Sequence, residues 1–317
     1  MRPLLRWTRV LASLGALALT AAPAMAYFDD LTLDPRSVAM GSAAGASVIG
    51  VGAYYWNPAA LTDLGQPEAL LDYASPYSVP ELSVSSLALG RRIRGVGLAA
   101  GWHRLALRDA YAEDQFALAA GTEVPVPMPR FRLEAGATVR IGRVSFQTFN
   151  DPDNGRPVDY GSKSGFDTDL GLRLQTPFRV DLSWVGRNLL SPRYDVVSGG
   201  GAAQQPRLEE LGLAWRWNPQ STVAGGWRQI DGTGRGTLNA GVEIWFFDVF
   251  ALRSGFTNTQ DVIEATTLDG LSHFNFTGGF GVRHRGVEVN GSVTTNPNLG
   301  ASYRAGLRFV KRAGGGQ

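Results

Sequence analysis

Apolar side chains fall at every second position along stretches of about ten residues, with polar side chains between them. Phe274, Phe276, Gly278, Phe280 and Val282 alternate with Asn275, Thr277, Gly279, Gly281 and Arg283. Phe178, Val180, Leu182 and Trp184 alternate with Arg179, Asp181 and Ser183, and Tyr303, Ala305, Leu307 and Phe309 with Ser302, Arg304, Gly306 and Arg308. Successive side chains of a strand point to opposite faces, so each stretch predicts a strand with one apolar and one polar face. The pattern predicts fourteen strands, centred near Leu71, Leu87, Leu98, Leu118, Val139, Leu170, Leu182, Leu213, Gly226, Val242, Leu252, Phe276, Val289 and Leu307. Between Leu31 and Asp63 the period disappears; that segment is rich in Ala, Gly and Ser and turns at Trp56-Asn57-Pro58.

Strand length decides what kind of sheet this is. Globular strands average ~5–6 residues, whereas a tilted strand crossing a bilayer needs ~9–11. The runs Phe131 to Ile141 and Ser272 to Arg283 belong to the longer class. The expected fold is therefore all-β, a transmembrane antiparallel barrel of about fourteen strands. A secreted sandwich shares the alternation and is the competing architecture. Connection lengths favour the barrel: Gln147 to Gly165, Ser191 to Pro206 and Thr257 to Leu271 all follow odd-numbered strands, as long external loops should, and most connections after even strands are short.

In a barrel, the charged positions acquire a direction. Arg132, Glu134, Arg140, Asp167, Asp169, Arg173, Arg179, Asp181, Arg304 and Arg308 share the phase opposite the apolar stripe. An Arg facing lipid at mid-membrane costs ~2–4 kcal/mol, so these ten are expected to point into the lumen. Their mixed signs suit either a hydrated lumen or an ion-pair network that plugs it.

The chain ends and composition narrow the setting. Arg2, Arg6 and Arg9, an apolar run from Val10 to Ala22, and Ala24-Met25-Ala26 read as a cleaved leader over residues 1–26. Its three arginines account for the net charge of +2; without them 27 basic residues face 28 acidic ones, which argues against nucleic acid as a partner. The chain contains no cysteine, so disulfides and thiolate metal sites are excluded. No stretch of the mature chain has 18 uninterrupted apolar residues; the nearest, Val242 to Leu252, is cut by Glu243 and Asp248. A membrane can then be crossed only with strands. Forty glycines, many within the alternating runs, suit a curved wall with close strand contact.

Signs of catalysis are weak. His103, His273 and His284 have no nucleophile motif beside them, and no His/Glu pair has metal-ligand spacing. Asp151, Asp153 and Asp159 share a loop without the register of a calcium site. We expect a non-enzyme without metal or cofactor.

One segment resembles a known family. Arg36-Ser37-Val38-Ala39-Met40-Gly41, Gly45-Ala46, and Ala53-Tyr54-Tyr55-Trp56-Asn57-Pro58-Ala59-Ala60-Leu61 resemble the N-terminal signature of FadL-type outer-membrane proteins, nearest their PorV/PorQ-like branch. Gly241 to Phe246, Ala251 to Phe256 and Val185 to Leu189 are similar to later strands of that branch. The resemblance implies a fourteen-strand barrel (67–310) in the outer membrane, with residues 27–66 in or against the lumen; residues 311–317 are expected to be a flexible tail. It implies outer-membrane lipid as surroundings, and uptake of small hydrophobic molecules or an accessory role for secreted proteins. A porin-like barrel is a third possibility. Trp56, Asn57, Pro58 and Ala59 become the motif residues, either as a structural turn or as ligand neighbours. Pro fixes φ, and the Asn side chain can cap local backbone groups.

Overall fold

The computed structural model describes residues 32–150, 155–195, 203–230, 235–258, 274–296 and 299–311. The expected leader, nearly all of the tail, Asp151, Asp153, His273 and most of the Thr257–Leu271 connection lie outside the described residues.

Fourteen strands form one closed antiparallel barrel in chain order. They are β1 (Glu68–Ser75), β2 (Leu82–Ile93), β3 (Val96–Leu107), β4 (Tyr111–Val124), β5 (Arg132–Phe146), β6 (Ser162–Gln175) and β7 (Val180–Arg187), followed by β8 (Leu208–Asn218), β9 (Ser221–Ile230), β10 (Arg235–Phe246), β11 (Phe250–Asn258), β12 (Phe274–His284), β13 (Val287–Asn296) and β14 (Gly300–Val310). Closure comes from β1 pairing with β14, Glu68 opposite Val310 through Ser75 opposite Tyr303. Each of the fourteen predicted centres lies within its strand. Closure leaves no sheet edge, which is what a lipid-embedded sheet requires.

Burial is inverted relative to a water-soluble protein. Phe116, Leu118, Phe166, Leu238 and Tyr303 are each more than half exposed, while Glu134, Arg173 and Asp169 are buried. In water, each such apolar side chain would forgo about 1.5–3 kcal/mol. Dozens of them on one continuous outer face therefore mark a surface solvated by lipid. No helix among the described residues is long and apolar enough to cross a membrane. Protein from the membrane fraction should migrate faster on a denaturing gel unboiled than boiled; a soluble pool whose mobility ignores boiling would overturn the barrel.

The two ends differ. At one, strands are joined by residues 94–95, 125–131, 176–179, 219–220, 247–249 and 285–286; the other carries the longer 147–161 and 188–207. Short turns face the periplasm in bacterial barrels, so residues 68 and 310 lie at that end. The stretch Val242 to Leu252, predicted to hold two strand centres, is a hairpin: β10 and β11 turn at Phe247 and Asp248, both with positive φ.

One strand starts later than the alternation suggests. Phe178 and Arg179 belong to the turn before β7, where Thr176 N donates to Val180 O at 3.0 Å and Arg179 has φ 62°. Pro177 supplies no N–H for a ladder, so pairing cannot extend through it.

Residues 32–64 form a compact N-terminal segment: helix α1 (Pro35–Ala39), a 3₁₀ turn Gly50–Gly52, helix α2 (Ala53–Trp56) and a 3₁₀ turn Pro58–Asp63. Almost all of it is buried. Helix α1 packs on β11 to β14, the Gly50–Gly52 turn on β1 and β2, and the Pro58–Asp63 turn on β3 to β6. A segment that touches opposite arcs of a closed wall through its inward side chains lies within the lumen.

Candidate functional site

The lumen and the segment that fills it are the only described region where motif residues and charged positions converge. Asn57 organises the motif. It is fully buried; its Oδ1 accepts from Ala59 N at 3.0 Å, capping the turn, and its Nδ2 donates to Gly45 O at 2.7 Å and to Leu172 O of the wall at 3.3 Å. Pro58 follows at the first position of that turn, where a missing N–H costs nothing. The indole of Trp56 donates to Leu33 O at 3.0 Å, tying the two ends of the segment together. Arg187 donates to Trp56 O at 3.0 Å and lies over the rings of Tyr55 and Trp56, 4.9 and 5.2 Å from their centroids.

Glycines of the wall make the seat. Gly97, Gly121, Gly136 and Gly171 stand directly opposite one another on β3, β4, β5 and β6, in one inward-facing row. A Cβ at any of them would overlap Asn57, Pro58 or Leu61. Across the lumen Gly241 and Gly255, also opposite one another, abut Met40 and Gly41. Gly41 has φ +67°, a conformation costly to any other residue, and sits against the backbone of Ala240 and Phe256. Thr277 Oγ1 accepts from Gly41 N at 3.0 Å and donates to Ala39 O at 2.9 Å, while Thr257 Oγ1 donates to Gly41 O at 2.6 Å. The wall is cut away where the segment's backbone must approach.

Charged side chains then bind the segment to the wall in two groups. On the β10–β1 arc, Arg36 of α1 makes a two-point contact with Glu243 at 2.7 and 2.9 Å and donates to Ser47 O at 3.0 Å. Arg253 meets the same Glu243 at 2.6 Å. Asp34 N donates to Asp72, which pairs with Arg304 at 2.8 Å, and Val51 N donates to Glu68, which pairs with Arg308 at 2.8 Å. On the β5–β6 arc, Thr62 donates to Glu134 at 2.6 Å. Glu134 pairs with Arg173 at 2.5 Å and Arg132 at 2.9 Å, and both arginines reach Asp63. Burial works against the Arg36 cation, but Glu243 outweighs it and holds the group charged; burial pushes the Tyr54 hydroxyl well above its usual range.

Of the ten charged positions singled out in the sequence, Arg132, Glu134, Arg173, Arg304 and Arg308 belong to these groups. Arg140 pairs with Asp169, and Asp167 lies 4.0 Å from it. These two aspartates also mend the wall. Strand β7 pairs with β6 only between Leu170 and Gln175; beyond it, Asn188 N donates to Asp169 at 2.9 Å and Leu190 N to Asp167 at 3.0 Å. Asp181 is buried and pairs with Arg216 at 2.6 Å. Arg179 is exposed in its turn and donates to Trp217 O at 3.3 Å, outside the lumen.

Sequence reasoning missed Arg36, Glu68, Asp72, Arg187, Glu243 and Arg253. Glu243 entered as an interruption of an apolar run and as part of the Gly241–Phe246 resemblance, not as a lumen charge; the same two-residue phase that selected Arg304 also selects Glu68, Asp72, Glu243 and Arg253.

No model of a known protein family matches the chain, and no curated protein matches it. Solved structures do match. The toluene transporter TbuX of Ralstonia pickettii superposes with a TM-score of 0.59 at 14% identity, covering 88% of this chain and 98% of that one. A Pseudomonas aeruginosa FadL homologue gives 0.56 at 12% identity, covering 87% and 98%. The P. putida toluene transporter TodX gives 0.54 at 12%, covering 89% and 99%. At such identities the likeness is one of fold: the chain shares the barrel architecture of these three proteins.

Proposed function

We propose that the chain is an outer-membrane barrel of FadL type that handles small hydrophobic molecules, without catalysis, and that its leader directs it there. One observation carries the hydrophobic part. Most of the inner wall is polar, yet the arc formed by β2 to β4 turns Val84, Ala88, Ala99, Ala117 and Ala119 inward, and they pack against Tyr54, Tyr55 and Trp56. An apolar arc inside a polar lumen is a surface along which an apolar molecule can move without stranding polar groups. The N-terminal segment now covers it, so passage requires that segment to shift.

The probe is toluene. Cells expressing the chain should accumulate radiolabelled toluene several-fold faster than cells carrying an empty vector, and Ala117→Glu, which puts a charge on the arc, should abolish the difference while leaving the heat-modifiable band intact. Equal rates in all three strains would overturn the reading.

A second reading, a PorV/PorQ-like accessory for secreted proteins, is favoured by the tightly sealed lumen, since a scaffold has no need of an open path. Its mark would be loss of surface-delivered proteins on deletion, with toluene entry unchanged.

A further inference from the structure

Outward-facing charge is rare on the described strands: Arg91 and Glu209 stand alone, and three more such residues stand together. On β3, β4 and β5, Arg104, Asp114 and Arg143 stand directly abreast, flanked by Ser85 and Ser164. They occupy the outward phase, for the next outward row toward the barrel middle is Leu87, Trp102, Phe116, Ile141 and Phe166, again abreast. Phe116, Ile141 and Phe166 are each more than half exposed. The row lies toward the end opposite the short turns, hence toward the outer leaflet.

The charges there do not cancel. Asp114 is engaged by Arg104 at 3.3 Å and by the Trp102 indole at 3.1 Å. Arg143 donates only to the neutral Ser162 hydroxyl at 3.1 Å; among the described residues no carboxylate pairs with it. The adjoining turns add Arg108, Asp109 and Glu81, whose carbonyl oxygen accepts from Arg108 N at 2.9 Å. Two guanidiniums two strands apart are separated by ~10 Å at the backbone, with one carboxylate between them. An outward Arg is expensive at the bilayer centre and costs ~0–1 kcal/mol near the interface, so this row sits at headgroup depth. Guanidinium matches phosphate oxygens in a two-point geometry, and the apolar row beneath offers contact to acyl chains.

We infer that Arg104 and Arg143 form a binding site for the phosphate headgroup of an acylated lipid in the outer leaflet, its chains lying on Trp102, Phe116, Ile141 and Phe166. The inference rests on the outer-membrane reading. The test uses the full chain folded into phosphatidylcholine vesicles, with and without diphosphoryl lipid A, and with the same lipid dephosphorylated. The readout is the temperature at which the fast-migrating folded band is lost. The phosphorylated lipid should raise that temperature by several degrees, the dephosphorylated one should not, and R104Q/R143Q should lose the gain while R143K, which keeps the charge but not the two-point geometry, retains only part of it. An equal gain from the dephosphorylated lipid, or an undiminished gain in R104Q/R143Q, overturns the site. The same gain from inorganic phosphate in plain vesicles would assign the charges to a free ion and overturn the lipid assignment. A folded band without any gain sinks this inference alone; absence of a folded band in every vesicle sinks the barrel reading with it.

Discussion

Gly136→Leu should open the barrel. Residue 136 lies in the middle of the glycine row, and a Cβ there would stand only 2.5 Å from Ala59 N and 2.6 Å from Pro58 O, both backbone atoms. Flexible side chains could swing aside, but this backbone is held by the Asn57 cap and by the Thr62–Glu134 bond, so the turn must leave its seat. Overpacking a filled interior ordinarily costs ~1–3 kcal/mol, and an obstacle made of backbone puts this case at the upper end. The consequence reaches beyond stability. Eight strands enclose a space that wall side chains can fill, and sixteen to eighteen leave a channel; fourteen is wide enough to need the segment as filling. The variant should show steady ion conductance in planar bilayers where the parent shows little, and its N-terminal segment should become cleavable by added protease. Gly278→Leu is the control, since that glycine faces outward and a Cβ there meets nothing closer than 3.9 Å. If both variants behave as the parent does, the glycine row is not the seat of a plug.

How much of this could be seen in the residues alone differs by element. The wall could be read because a period of two, sustained for ten residues, has one physical meaning; the inward direction of Arg140 or Arg304 follows from the same period and the cost of charge in lipid. Partnership could not be read. Arg36 and Glu243 are 207 positions apart and meet only because the segment crosses the lumen, a path that leaves no periodic trace. The glycines were visible but ambiguous: taken as a concession to wall curvature, Gly97, Gly121, Gly136 and Gly171 become a docking row only once the register sets them side by side. Arg179 misled because alternation continued through Pro177 into a turn, where phase no longer reports direction. The Asn57-Pro58-Ala59 resemblance located the element that does the sealing, and its hydrogen bonds are those of a structural turn. Asn57 sits next to the apolar arc rather than on it.

Glu243→Leu should be the most damaging single change on the opposite arc. The carboxylate accepts from Arg36 at 2.7 and 2.9 Å and from Arg253 at 2.6 Å, and both guanidiniums are buried. Removing it leaves two cations facing each other out of water, with Glu288, 3.5 Å from Arg253 and already shared with Arg283 and Arg308, as the nearest balance. Breaking a buried pair from one side costs ~3–5 kcal/mol, far more than the pair contributes against a well-packed apolar substitute. This asymmetry gives the test its form. Glu243→Leu alone should lower the temperature at which the folded band is lost and, because Arg36 is the anchor of α1, should raise conductance as well. Adding Arg36→Leu to it removes one of the stranded cations and should recover much of the stability without restoring the seal. Stability and closure would then move apart, which no general loosening of the barrel would produce: if the double variant regains both or neither, Arg36 is not what holds the segment in place. Arg304→Leu makes the contrast sharper, since Asp72 keeps its bond from Asp34 N and loses one partner only; its effect on conductance should be smaller than that of Glu243→Leu, and an equal effect would mean that the two contacts hold the segment alike.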